Sequence, residues 1–159
     1  MKTLYLMRHG QKELLSNKDD FDIELTAQGI LDIKNMAKKL SQNKVQFDLI
    51  AASPALRAKQ TAQIISEAFH YDKSIMYNEV IYQAFLNELH ETITYTYDYV
   101  DSMLLIGHNP SLAALALTYC GYKEEFDMGY VLRIDFDCNS WIDIGKHNAK
   151  LIKVFKTDK

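Results

Sequence analysis

Three short apolar runs constrain this chain more than any other feature: Leu4–Met7, "FDLIAAS" at 47–53 and "SMLLIG" at 102–107. Each is too short for a buried helix and lacks the sustained alternation of a half-solvated strand. Each therefore reads as a strand buried on both faces. Helical patterns separate them. "LTAQGILDIKNMAKKLSQ" repeats Ile30, Ile33, Ala37 and Leu40 at helical spacing, with Thr26 placed as its N-cap. "SPALRAKQTAQIISEAFH" starts on Ser53 as cap, with Pro54 at the first helical position, where a missing N–H costs nothing. "YQAFLNELHETITYTYDYV" reads as a third helix and "NPSLAALALTYCG" as a fourth, capped by Asn109, opened by Pro110 and ended by Gly121. "SIMYN" is a further short strand. The tail segments "YVLRIDF", "SWIDIG" and "AKLIKVF" read as strands at a sheet edge, the last two a candidate hairpin.

Strand–helix alternation predicts an α/β fold: a three-layer α/β/α arrangement around a mainly parallel sheet, made mixed by the β-rich tail. With 159 residues and no Pro/Gly-rich linker, the expectation is a single domain over 1–159. The net charge of −3 offers nothing to nucleic acid or to a membrane surface. No segment approaches the roughly 20 apolar residues that span a bilayer, and the first apolar run is cut by Arg8 and His9 before it could serve as a secretory signal. Cys120 and Cys138 have no metal-like spacing and read as reduced thiols. The expectation is a cytoplasmic protein, monomeric, without metal or cofactor.

In open α/β sheets ligands bind beyond the carboxyl ends of the strands. The first buried run ends in Arg8-His9-Gly10. The second leads through Ser53-Pro54 into a helix whose first turn carries Arg57. The third ends in Gly107-His108-Asn109-Pro110. If these turns converge, two guanidiniums, two imidazoles and helix N-termini face one point, an environment suited to a dianionic phosphoryl group. Arginine grips phosphate oxygens with a planar fork that lysine lacks. A neutral imidazole is a usable nucleophile near pH 7, so His9 is the candidate nucleophile, with Gly10 letting backbone approach the ligand. His70, His90 and His147 have no such context and read as surface or helix-end residues.

The blocks "LMRHG", "LTAQG", "SPALRAKQTA" and "LIGHNPSLAAL" resemble, in that order, those of the histidine phosphatase superfamily, with its phosphoglycerate mutase-like fold. The short length, "IYQAFLNEL" and the closing β segment look most like the SixA-type phosphohistidine phosphatase branch. The resemblance implies that His9 is the phosphorylated nucleophile and that Arg8, Arg57 and His108 form the phosphate pocket. The family's general acid sits on a long insertion for which this chain has little room; Glu79, in "YNEVIYQAF", is the nearest carboxylate and the candidate.

The expected function is a cofactor-independent phosphatase acting through a phosphohistidine on His9. Its expected substrate is protein phosphohistidine, whose imidazole leaves readily once protonated and has less need of an acid than an alkoxide. The alternatives are a phosphatase of small phosphomonoesters, a mutase, which would need a second phosphate site, and a non-catalytic phosphate-binding module, which would have no use for His9. Partners are a phosphorylated protein or a small phosphorylated substrate, with neither nucleic acid nor membrane.

Overall fold

A computed structural model describes residues 1–158. Ten principal elements follow in order: β1 (Lys2–Arg8), α1 (Ala27–Gln42), β2 (Leu49–Ala52), α2 (Leu56–Ala68), β3 (Met76–Tyr77), α3 (Leu86–Thr94), β4 (Ser102–Gly107), α4 (Ser111–Cys120), β5 (Val131–Phe136) and β6 (Ala149–Phe155). Short 3-10 turns sit at Asp20–Asp22, Glu79–Ile81 and Trp141–Asp143. The sheet order is β3-β2-β4-β1-β5-β6. β1, β2, β3 and β4 pair in parallel, while β5 runs antiparallel to β1 and β6 antiparallel to β5. This is the mixed α/β sheet expected from the sequence.

The three apolar runs become β1, β2 and β4, adjacent in the sheet. Successive side chains point to opposite faces. Leu4 and Leu6 of β1 join Met103 and Leu105 of β4 in one core, with Leu112 and Leu115 of α4, Leu89 and Ile93 of α3, and Trp141. Tyr5 and Met7 join Leu104 and Ile106 in the other, with Ile33, Met36 and Leu40 of α1 and Ala58, Ala62 and Ile65 of α2. Both cores lock the register of the central strands, since a slip of one residue would exchange the two sets.

Helix α1 forms as predicted. The Thr26 hydroxyl accepts from the Gly29 N–H at 2.8 Å, and Gly29, Ile33, Met36, Ala37 and Leu40 make the buried stripe. Gly121 ends α4 in the left-handed region at φ 68°, where a side chain is disfavoured. Four expectations are corrected. Helix α2 begins at Leu56, so Ser53 is not its cap; the Ser53 hydroxyl accepts from Ala55 N–H at 3.2 Å and is turned inward. Helix α4 begins at Ser111, one residue past Pro110, although the Asn109 side chain still accepts from Ala113 N–H at 3.3 Å. The third helix is confined to Leu86–Thr94, because Tyr95, Tyr97 and Tyr99 are exposed and provide no buried stripe to extend it. "SWIDIG" forms a 3-10 turn instead of a strand. Trp141 and Ile144, three apart, are buried while Ile142 is exposed, a period of three instead of two.

Candidate active site

The carboxyl ends of β2, β4 and β1 lie side by side, and the side chains that leave them meet. His9 follows β1 and is 3% exposed. Arg57 lies in the first turn of α2 at 5%, and His108 follows β4 at 7%. The His9 and His108 rings are 5.0 Å apart between centroids, and Arg57 Nε donates to His9 Nε2 at 3.4 Å. The convergence expected from three separate turns is therefore present for His9, Arg57 and His108. Arg8 leaves the same strand end. It donates to the Phe126 carbonyl at 3.4 Å, lies 3.7 Å from the Asp127 carboxylate, and its buried Nε has no hydrogen-bond partner among the described residues.

The tautomer of His9 follows from its contacts. Nδ1 lies 2.7 Å from the Gly10 carbonyl, which can only accept, so Nδ1 carries the proton and Nε2 presents its lone pair toward Arg57. Burial is the largest influence on His9 and holds its pKa down at about 3, with the charges of Arg57 and Arg8 pushing the same way. His108 is depressed to about 4, again first by burial and then by Arg57. Both imidazoles are neutral near pH 7. His108 Nε2 meets the Ser53 hydroxyl at 2.8 Å, and its buried Nδ1 has no hydrogen-bond partner among the described residues. A neutral nucleophilic nitrogen thus faces a guanidinium, beside two further buried nitrogens with unused hydrogen-bonding capacity. Such groups are costly to bury alone and gain most when an oxyanion satisfies them.

Gly10 meets a packing requirement. A Cβ there would press on Ile33 Cγ1 at 2.9 Å and on the Gly29 carbonyl at 3.3 Å, so its bareness lets the turn lie against α1. Its N–H donates to Thr61 Oγ1 at 3.1 Å, which in turn donates to the Arg57 carbonyl at 2.8 Å, tying the turn that carries His9 to α2. Glu79 opens the 3-10 turn after β3, exposed, and no hydrogen bond or ion pair joins it to His9, Arg8, Arg57 or His108 among the described residues. Tyr82, one turn further on, is the residue that reaches the site. Its ring meets His108 edge-on at 5.5 Å, and its hydroxyl donates to Asp20 Oδ2 at 2.7 Å.

Asp20 and Tyr82 were not singled out by the sequence, and Ser53 only as a helix cap. Asp20 sits in a polar loop with Asp19 and Asp22 as neighbours, and no periodicity says which of the three turns back. It accepts from Arg57 Nη2 at 3.0 Å through its carboxylate and from Nη1 at 2.6 Å through its carbonyl. The Tyr82 hydroxyl, then Arg57, hold its carboxyl down at about 2, so it is ionised at every working pH. Among the described residues no group of three His, Cys, Asp or Glu side chains is placed to hold a metal ion. Nor is any helix long and apolar enough to cross a membrane.

Comparison with known proteins places this arrangement. Residues 4–93 match the model of the histidine phosphatase superfamily, branch 1. An uncharacterized protein of Mycobacterium tuberculosis is 30% identical over 111 residues, 70% of this chain and 68% of that protein. An uncharacterized protein of Picosynechococcus is 39% identical over 66 residues, 41% of this chain and 40% of that one. The matches span well under half the length of the first curated relatives, from 24 to 40%. Among solved structures, the protein histidine phosphatase SixA complexed with tungstate superposes with a TM-score of 0.81 at 22% identity, over 96% of this chain and 95% of that one. An Entamoeba histolytica phosphoserine phosphatase shares the fold at a TM-score of 0.64 and 19% identity, over 99 and 98% of the two chains. With the family model covering more than half of its length, this chain belongs to the histidine phosphatase superfamily, in a SixA-like form of its fold.

Proposed function

We propose that the protein is a phosphatase that takes a phosphoryl group onto His9 Nε2 and passes it to water, with phosphohistidine on a protein as its substrate. The observation that carries the reading is the pairing of His9 Nδ1 with the Gly10 carbonyl at 2.7 Å. It fixes the tautomer whose lone pair faces Arg57 and makes His9 a nucleophile instead of a ligand-binding donor. Nε2 attacks phosphorus in line and the bond to the leaving atom breaks. Arg57, Arg8 and His108 take up charge on the equatorial oxygens. Hydrolysis then returns neutral His9 and inorganic phosphate. A bound dianion also favours the protonated form of His108, which is neutral without it.

The choice of substrate rests on the proton. Asp20, whose carboxylate contacts Arg57, is ionised and accepts hydrogen bonds from Tyr82 and Arg57, so it has no proton to give. Glu79 is exposed and joined to none of the four site residues. An alkoxide leaving group would need such a donor, whereas the imidazole of a phosphohistidine leaves once it is protonated by solvent. Only residues 78–85 separate β3 from α3, so that connection carries no lid, and Asp20 at the mouth is half exposed. A group borne on a protein surface can reach such a site.

The test compares kcat/KM for a phosphohistidine-bearing protein domain with that for a panel of sugar, nucleotide and amino-acid phosphomonoesters. The expected result is clear preference for the N–P substrate, abolished in His9→Ala. A single alkyl phosphate turned over with kcat/KM at or above about 10⁴ M⁻¹s⁻¹, in the ordinary enzyme range, and preferred to the phosphoprotein, would transfer the assignment to a small-molecule phosphatase.

A further inference from the structure

We infer that Asp20 is a positioning residue for Arg57: it holds one edge of the guanidinium so that the other edge is aimed at the phosphoryl group on His9. The inference deepens the phosphatase reading and rests on it. A guanidinium is planar and has two forks. Nη1 and Nη2 form the end fork; Nε and the second hydrogen of Nη2 form the side fork. Asp20 takes the end fork with two acceptors, its main-chain carbonyl on Nη1 at 2.6 Å and its Oδ2 on Nη2 at 3.0 Å. The side fork is left to face His9, with Nε 3.4 Å from Nε2. A phosphoryl group on Nε2 would therefore meet this side edge, its Nε–H released from the Nε2 lone pair, without displacing Asp20.

Asp20 is itself held in place. Its Oδ2 also accepts from the Tyr82 hydroxyl at 2.7 Å, and Oδ1 lies 3.5 Å from Lys12 Nζ. Phe21, next in the chain, packs edge-on against the Tyr82 ring at 5.2 Å. The loop between β1 and α1, the first turn of α2 and the 3-10 turn after β3 thus meet at one carboxylate. A long side chain such as arginine carries ~2 kcal/mol of rotamer entropy, and an edge fixed in advance need not be ordered at the moment of reaction. A carboxylate beside an anion site weakens anion binding by repulsion. Its presence there is explained by what it does to Arg57 and not by affinity for the ligand.

The test is a double-mutant cycle on the single-turnover rate of His9 phosphorylation, with phosphoramidate as donor. Asp20→Ala is expected to lower that rate by ~10–10²-fold in the wild-type background, the range for a misplaced catalytic group. It should cost less than about twofold further in an Arg57→Ala background, because it acts through Arg57. Asp20→Asn, which keeps the main-chain carbonyl and one side-chain acceptor, should recover part of the rate. The Arg57 Nε–H resonance, sharp in the wild type, should broaden in Asp20→Ala. An unchanged or raised rate in Asp20→Ala, or equal losses in both backgrounds, would overturn the inference. A raised rate would make Asp20 a competitor for the phosphoryl site. If the wild type itself gives no phosphohistidine, the phosphatase reading fails, while the resonance still reports whether Asp20 holds Arg57; an unbroadened signal refutes that independently.

Discussion

Replacing Arg57 by alanine separates catalysis from stability. In the fold, the guanidinium is buried but its ionic partner Asp20 is half exposed, so Asp20 is rehydrated when Arg57 is removed. The lost pair is worth ~1 kcal/mol at most, and trimming the buried stem adds ~1–2 kcal/mol of packing. At ~2–4 °C per kcal/mol for a chain of this size, Tm should fall by ~2–12 °C, leaving the protein folded at 25 °C. In the proposed reaction, Arg57 Nε, 3.4 Å from His9 Nε2, would meet the charge that develops on the transferring oxygens. Losing such a donor costs ~10²–10³ in rate, or ~2.7–4 kcal/mol. Protonation of the nucleophile cannot account for that loss. Arg57 lowers the pKa of both imidazoles, yet burial is the larger influence and remains, so His9 stays neutral at pH 7 without it. Rapid-quench measurement of His9 phosphorylation, from about pH 6 to about pH 8, should show a deficit that does not change with pH. Arg57→Lys, keeping the charge but not the fork, should recover only part of it. A deficit under about tenfold, or one erased by raising pH, would refute the assignment of Arg57 to the transferring group.

Three further outcomes follow from particular contacts. Both site histidines have folded pKa values below the unfolded value of about 6.5, so the unfolded chain binds more protons and stability falls as pH drops through the window from 6.5 to about 4 for His108 and about 3 for His9. Each adds a slope of up to ~1.4 kcal/mol per pH unit there, and urea unfolding of a His9→Ala, His108→Ala variant should show a flatter acid limb. Gly29→Ala, which in a free helix would stabilise by ~0.5–1 kcal/mol, should destabilise here, since its Cβ would collide with the Gln11 carbonyl. Thermal melts of that variant should show Tm below the wild type. Lys2 is 2% exposed, and its ammonium donates to the Asp98 and Val100 carbonyls at 2.5 and 3.0 Å; Lys2→Met should lose ~1–3 kcal/mol in denaturant titration despite its apolar side chain, because the Asp98 carbonyl loses its donor while the Val100 carbonyl keeps only Trp141 Nε1–H.

The sheet was readable because its central strands are nearly pure apolar runs, and the site because its polar residues interrupt those runs at one end. Arg8, His9 and His108 stand at strand termini, where chain position predicts place in the fold, and Arg57 lies in the first turn of the expected helix, which starts at Leu56, two residues past Pro54. Glu79 was selected as the carboxylate nearest the end of the third strand, but a 3-10 turn advances each residue by about a third of a circle. Tyr82 reaches His108 while Glu79 is exposed at the start of that turn. Asp20 was hidden for a different reason. Its contacts to Arg57 and Tyr82 span 37 and 62 positions of sequence, and a loop of alternating charge carries no pattern that selects one carboxylate. Ser53 had a local reading as a cap; its contact with His108, 55 positions away, prevailed.

The central claim is that His9 Nε2 carries the phosphoryl group in a covalent intermediate. The most direct measurement is rapid quench of the protein with phosphoramidate, digestion at alkaline pH and mass spectrometry of the peptide that contains Arg8-His9-Gly10. The account predicts one added phosphoryl mass on His9, stable to base and lost in acid, formed and consumed within a turnover and absent from His9→Ala. Turnover with no such species, or a phosphoryl group retained elsewhere in His9→Ala with activity intact, would contradict it.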